Sequence, residues 1–531
     1  MEYIMKHYSV LAGLAALLLI FSLAGCKSSG PDASAPDSSA EESTAATTAD
    51  SSDADSAEPD DSSDSASGNA TTAQGGDKTN STNKPQSNST TKKPGAKTTV
   101  FTTKRTTYST AAIKYPAAPN ANFKYQTSSV DKKNDMKFLV PVSENFTTAQ
   151  PKTGAKEKNG VYNALDFGAT PNDLSDDSDA LNEAFSYAGS NAVLYIPGGL
   201  YIINKPLTIP AGVQVAGDFT APGCTNPTVF LAYYGHGDAG KSPLITIGGS
   251  STFSGIQIYY PKQDKKSPVK YPATIRSTSP DTTVDTVFIV NPWEALNFKP
   301  ESGRHYIRNF YAQPLNVGIS IDNCLDVGRL RNIRFDSYWS EYAADYQRKN
   351  ATGIYIKRSD WQYVDTVTIC NMQNGWHFDS SAANVLLDNC QTVACDKSVL
   401  VDDSRNGAGV IFSKCTLDGQ FKVVYTNGGN LTLRECVLTA NKYNSSVMRV
   451  AGSGALILRS SLIDSSKSSN KKDPALFIDT DQTVISGNTF SGGAAVQIHL
   501  DSEVKGATVV GNVVPGGAVK VEKATDGNVV Q

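Results

Sequence analysis

An all-β chain, wound as a single-stranded parallel β-helix with a short capping helix at its start, is what this sequence predicts, and three observations predict it. The first is a recurring apolar–any–apolar–any pattern: Ile319-Ser-Ile-Asp322, Ile354-Tyr-Ile-Lys357, Trp376-His-Phe-Asp379, Val399-Leu-Val-Asp402, Val423-Val-Tyr-Thr426, Met448-Arg-Val-Ala451, Leu476-Phe-Ile-Asp479, Val496-Gln-Ile-His499 and Val519-Lys-Val-Glu522. Its members are spaced by 35, 22, 23, 24, 25, 28, 20 and 23 residues. The second is a column of small polar residues, Cys390, Cys415, Cys436, Ser461, Asn488 and Asn512, spaced by 25, 21, 25, 27 and 24 residues. An apolar residue precedes each member by three: Leu387, Phe412, Leu433, Leu458, Ile485 and Val509. Two columns sharing one period are what stacked coils produce when each coil buries its strands on its neighbours. The third observation is negative. The fixed Leu/Asn consensus of a leucine-rich repeat is missing, and helical periodicity is scarce.

The elements follow in order. Residues 1–26 carry Lys6 and His7, an apolar run from Val10 to Leu23 and small residues ending at Cys26. That run is short for a membrane span and has the layout of an export signal. Its ending, Leu23-Ala24-Gly25-Cys26, resembles the bacterial lipobox, which implies lipidation at Cys26 and an extracellular, membrane-anchored chain. Two or more acyl chains hold a protein stably at a bilayer. Residues 27–120 are Ser, Thr, Ala, Asp, Gly and Pro with few apolar residues before Val100. Such a stretch cannot bury enough surface to offset its conformational entropy, so it is expected to be a disordered tether. As a flexible coil it spans on the order of 50 Å. The β-helix domain is assigned to residues 121–531, with a helix over about 177–188 whose Ala180, Leu181, Ala184 and Phe185 share one face.

Composition excludes some classes. A formal net charge of −4 offers no general attraction to nucleic acid, and no nucleic-acid partner is expected. Eight cysteines leave seven after Cys26, an odd number with no CxxC pair, which points to packed thiols and no zinc ligand set. Stacked rungs lie about 4.8 Å apart, so a disulfide between neighbouring Cys of the column is geometrically allowed. Gly235-His236-Gly237 reads as a tight turn.

The stretch LDFGATPNDLSDDSDALNEAF, followed by AVLYIPGGLYIINKPLTIPAGVQVAGD, resembles the N-terminal cap and first coil of the pectate lyase-like superfamily, also called rhamnogalacturonase- or epimerase-like. The later segments FLAYYGHGDAG, IQIYYPKQ, RHYIRNFYAQPL and GISIDNCLDVGRLRNIRF resemble a bacterial subgroup related to polygalacturonases. The resemblance implies a right-handed (pectin lyase-like) β-helix acting on polysaccharide. The chain departs from that subgroup at Lys262, Arg331 and Arg334, and it lacks the polygalacturonase Gly-His-Gly at its usual place after Asp402-Asp403. Catalytic residues therefore do not transfer by motif.

The repeat itself supplies candidates. If the apolar members face inward, Asp322, Lys357, Asp379 and Asp402 line the solvent side on successive rungs, with Ser320, Tyr355 and His377 two residues earlier on the same face. Asp379 and Asp402 then sit roughly 5 Å apart, where two charges repel by ~3 kcal/mol at an effective dielectric near 20. That repulsion would keep one carboxyl protonated and the other charged, as glycoside hydrolysis requires. Asp322, two rungs from Asp379, offers a wider, inverting pair, and His377 an acid/base group. Lys357, Tyr355, Arg329, Arg334 and Trp339 are expected to bind substrate, with Trp361 also near a loop and Trp376 in the core. No cofactor is expected for a hydrolase. A lyase would use the same face with calcium, and a monomeric, non-catalytic glycan-binding solenoid is the remaining alternative.

Overall fold

The computed structural model describes residues 160–402, 406–426, 429–440, 446–466, 473–480, 482–492, 494–502, 504–515, 518–521 and 527–531. The signal segment, Cys26 and the tether lie outside the described residues. Within them the chain winds into a right-handed β-helix in which the paired strands run parallel. Each coil contributes strands to three walls. The first wall stacks Val317–Ile321, Thr352–Ile356 and Asn374–Phe378 beneath the C-terminal part of Gln391–Val401. The second wall holds Ala383–Asp388 and the first parts of Cys324–Phe335 and Ser359–Cys370. The third wall takes the ends of those two long strands, which turn the corner between walls without a break.

The corner between the second and third walls is a column of left-handed residues: Asn309, Asn332, Thr366, Asn389, Lys414, Glu435 and Ser460, with φ between 50° and 56°. Asn tolerates this region better than most residues, whereas β-branched Thr366 does not, so the winding over-determines the bend. Immediately after the bend comes the predicted polar column, and it points inward. Cys390, Cys415, Cys436, Ser461 and Asn488 are buried, and each rung's side chain accepts the backbone N–H of the rung below. Cys415 Sγ accepts from Cys390 at 3.4 Å, Ser461 Oγ from Cys436 at 3.0 Å and Asn488 Oδ1 from Ser461 at 2.9 Å. The seven cysteines among the described residues are free thiols, and six of them are buried. Hydrogen bonding between stacked thiols and burial push Cys415 up to about 12, and burial first, then the Asp418 and Asp396 carboxylates, push Cys395 up to about 12. These thiols fill space and are poor nucleophiles.

Inside the coils one continuous apolar core runs the length of the described solenoid, built from stacks such as Ile319–Ile354–Trp376–Val399 and Ile321–Ile356–Phe378–Val401. Trp376 is fully buried, as its alternation predicts. Helix α1, Ser178–Ala188, closes the N-terminal end by burying Leu181, Ala184, Phe185 and Ala188 against the first coil. Its N-cap Asp177 makes no side-chain cap bond. Asp177 instead accepts the N–H groups of Thr170 at 2.8 Å and Ile202 at 3.0 Å, tying the cap to the solenoid, and burial raises its pKa to about 7 despite those bonds.

A second apolar cluster lies outside the third wall, where Val229, Leu231, Tyr259 and Phe288 are covered by Leu315, Trp339 and, from helix α2 (Glu341–Asn350), Ala343. Gln313 pins this cover by donating to Ser340 O at 2.8 Å and Gln347 Oε1 at 3.0 Å.

Register corrects the sequence reading at two rungs. Thr426 lies opposite Val401, one position from the expected partner Asp402, and His499 lies opposite Phe477, two from the expected Asp479. Both runs, VVYT and VQIHL, alternate past four residues, so the four-residue pattern alone does not fix which apolar pair enters the core.

Candidate active site on the first wall

The first wall is tightly stacked below the site because its strands carry Gly at the second position: VGISI, TGIYI and NGWHF. A Cβ at Gly353 would lie 2.6 Å from Gly375 O, and one at Gly375 2.8 Å from Ser398 O. Only glycine lets the rungs close here, and that closure sets the spacing of the side chains above.

Directly after these strands the charged residues stack as the repeat predicts. The N–H of Asp322 donates to Phe298 O at 3.0 Å, Lys357 to Ile321 O at 2.8 Å, Asp379 to Ile356 O at 2.9 Å and Asp402 to Phe378 O at 2.8 Å. Ser320, Tyr355, His377 and Leu400 form the adjacent column. The two columns connect on the diagonal, each bond climbing one rung. Tyr355 donates its hydroxyl to Asp379 Oδ2 at 2.9 Å, and His377 Nε2 meets Asp402 Oδ2 at 2.6 Å. The Tyr355 and His377 rings stack with centroids 4.5 Å apart and planes 26° apart, and Lys357 Nζ lies 5.6 Å from the Tyr355 centroid.

The expected carboxylate pair calls for one charged member, and the surroundings of Asp379 favour that role. Asp379 is held below its ordinary pKa: partial burial pushes it up, but hydrogen bonds from Tyr355, Ser380 and Ser381 outweigh that. Asp379 is therefore a committed carboxylate. Burial, and then the Asp379 carboxylate that its hydroxyl donates to, raise Tyr355 well above an ordinary phenol. Asp322 is bracketed by cations, Lys357 Nζ at 3.4 Å and Lys299 Nζ at 4.0 Å, so it acts as their counter-ion and positions Lys357. His377, with a side chain 20% exposed beside Asp402 at 41%, presents Nδ1 as its second functional atom. An ionised Asp402 only accepts, so it fixes the proton on Nε2 and leaves Nδ1 to take or give one.

The remaining predicted binders stand elsewhere. Arg329 belongs to the second wall, opposite Tyr306 and Tyr363. Arg334 sits on the third wall and is held by Asp336 at 2.8 Å. Both follow Asp322 closely in sequence, but the chain turns a corner at Asn323–Cys324 and another at Asn332, carrying them away from it. Trp339 is 1% exposed inside the α2 cover and offers no face to a sugar. Lys262 lies over the Tyr233 ring at 5.5 Å, and Arg331 faces Asp365 at 3.4 Å. The Gly-His-Gly turn has Gly235 at φ 78° and Gly237 at φ 82° with His236 edge-on to Tyr271, so it is structural. Among the described residues, no cluster of three or more His, Cys, Asp or Glu is arranged to hold a metal ion.

Sequence reasoning found the two columns but missed their diagonal coupling and missed Lys299. A charged residue after the preceding strand, Glu294–Phe298, was the available signal for the latter.

Comparison with known proteins agrees with the winding. Residues 161–234 match the family model described as rhamnogalacturonase A/epimerase, pectate lyase-like, and residues 352–530 match the right-handed β-helix region. Similar solved structures include the A-module of a mannuronan C-5 epimerase of Azotobacter vinelandii, at 15% identity and TM-score 0.46, covering 70% of this chain and 99% of that one. An exopolygalacturonase of Thermotoga maritima aligns at 13% identity and TM-score 0.40, covering 69% and 93%. The tailspike of E. coli bacteriophage HK620, in complex with a pentasaccharide, aligns at 11% and 0.45, covering 68% and 76%. A LysM effector of Penicillium expansum is 30% identical over 118 residues, 20% of this chain, and the chain spans 9% of that protein's length. The chain thus carries a pectate lyase-like first segment and right-handed β-helix coils above it, as the sequence resemblance implies.

Proposed function

We propose that this pectate lyase-like β-helix is a carbohydrate-active enzyme that hydrolyses an extracellular, uronate-containing polysaccharide on its first wall. The observation that carries the reading is the pair of diagonal bonds, Tyr355 to Asp379 and His377 to Asp402, on adjacent rungs. Hydrolysis needs one charged carboxylate and one proton donor across the scissile bond. Asp379, held below its usual pKa, is the charged partner, as nucleophile or as base for a water. A protonated His377, braced by Asp402, donates from Nδ1 to the leaving oxygen, and Lys357 takes a substrate carboxylate. In this reading His377 takes the proton-donor role that the sequence expectation gave to a second carboxyl, because Asp402 is engaged by the imidazole.

One observation supports a second reading, uronate elimination. Tyr355, His377 and Lys357 lie together, a phenol, an imidazole and a cation, as removal of the proton beside a carboxylate would use. The two readings need opposite states of one atom. Hydrolysis uses the charged imidazole, so its rate falls as pH rises; elimination uses the neutral ring, so its rate falls as pH drops. Purified protein with polygalacturonate tests both. New reducing ends without ultraviolet absorbance, formed at a rate that falls as pH rises, support hydrolysis. Absorbance from an unsaturated uronide, formed at a rate that falls as pH drops, overturns it. Binding without either product favours the adhesive alternative.

The lipobox-like ending at Cys26 supports a lipid-anchored location on the extracellular face of the cell membrane. Cys26→Ser should release the chain from membranes into the soluble fraction, and retention would overturn that location.

A further inference from the structure

We infer that the second wall carries a separate binding site for a linear anionic polysaccharide, distinct from the chemistry of the first wall. A groove of about 400 Å³ opens on the outside of this wall. Its floor is one column on successive rungs, with Tyr306, Arg329, Tyr363, Leu386 and Ile411 opposite one another in register. The flanking column runs Arg331, Asp365, Asp388, Ser413 and Arg434.

Two features single out a glycan as the occupant. The strand Ser359–Cys370 presents Trp361 and Tyr363 on the same outer face, 39% and 44% exposed, with ring planes only 16° apart. Large, half-exposed rings held nearly parallel, with centroids 6.2 Å apart on a rigid strand, offer apolar ring surface for the C–H face of a pyranose. The groove also runs across the coils, whose rungs rise about 4.8 Å each, so its long axis offers an extended polymer a continuous track over several rungs.

Charge selects the class. Asp365 is occupied by Arg331 at 3.4 Å, and Asp388 accepts the Asn389 side-chain amide at 3.0 Å. Arg329 and Arg434 add two further guanidinium groups to the lining, both exposed. Guanidinium forks bind planar carboxylates through two parallel hydrogen bonds, and a cation beside aromatic rings gains further from their faces. The site therefore fits a polymer of uronic acid residues, held while the first wall acts on a different stretch of chain.

Native gel electrophoresis through embedded polygalacturonate, with a neutral cellulose ether in a parallel gel, tests this on the Asp402→Asn protein. Retardation by polygalacturonate alone is expected. It should weaken at least fivefold in Trp361→Ala/Tyr363→Ala and severalfold in Arg434→Ala, with melting temperatures near that of the parent, and persist in Lys357→Ala. Equal retardation of parent and second-wall variants overturns the site, as does no retardation of the parent. Equal retardation in the neutral gel overturns its anionic specificity. Loss in Lys357→Ala alone moves the binding to the first wall. Staining the polymer after the run reports any cleavage, which separates failure of the catalytic reading from failure of this one.

Discussion

The first and second walls are made by the same winding, and both put charged residues on their outer faces, yet they spend those charges differently. On the second wall opposite charges face each other directly across rungs: Arg308 meets Asp285 at 2.8 Å and Arg331 meets Asp365 at 3.4 Å. Such pairs cancel in place, and exposed ones contribute little, about 0–1 kcal/mol. On the first wall Asp322 pairs in this manner, with Lys357 and with Lys299. Asp379 and Asp402 are drawn sideways to a phenol and an imidazole. A charge cancelled by a permanent cation is inert toward protons, whereas one held by a titratable neighbour is poised to move them.

The sharpest break in this contrast is Asp402→Asn or His377→Ala. Each should cost about 10²–10⁴-fold in turnover, the usual range for a positioned acid or base. Steady-state assays on the polysaccharide that the parent cleaves check this, with melting temperature near that of the parent as the folding control. Activity within twofold of the parent would put the first wall on the same footing as the second. Asp379→Asn belongs to the same class and should lose turnover to a similar degree.

A smaller effect is expected from Tyr355→Phe, which removes one hydrogen bond to a charged acceptor, worth about 1.5–3 kcal/mol. Turnover should fall by roughly ten- to a hundredfold, and the pH–rate profile should lose its acid side as Asp379 climbs back toward its ordinary pKa. An unchanged profile would mean that the serines alone hold that carboxylate.

Outside both walls, Asp177 gives a pH prediction with a definite sign. Its folded pKa, near 7, lies above the ordinary unfolded value near 3.9, so the native state binds the extra proton. The stability it confers is complete below about pH 4 and is lost as pH rises through 7. Melting temperature should drop by a few degrees more between pH 5 and 8 in the parent than in Asp177→Asn. Identical slopes would remove the assignment. The smallest effect is expected at Arg331→Ala on the second wall, within about 0.5 kcal/mol in stability and near parent in turnover.

Much of this was legible in the residues. The period exposed the coils because burial repeats with the winding, and alternation placed Trp376 inside and His377 outside. The column at 390–512 announced a corner, although its left-handed bend is carried by the residue before each member, which the chain varies among Asn, Lys, Glu, Ser and Gly. Diagonal bonding was not legible, because it depends on the offset between columns and on rotamers. Arg329, Arg334 and Trp339 were misplaced for one reason. Nearness along the chain suggests nearness in space, and a solenoid breaks that link at every corner. Trp361 and Tyr363, alternate residues of one strand, were the pair that chain order could have paired.

The diagonal bonds also make the proposed catalytic wall a lock whose tumblers sit on neighbouring floors. Tyr355 and Asp379 are 24 residues apart, and His377 and Asp402 are 25, so a lineage that gained or lost one whole storey between them would keep a sound tower and an open stairwell while the bolt no longer met its keeper. In an architecture that grows by copying floors, activity is therefore easier to mislay than shape.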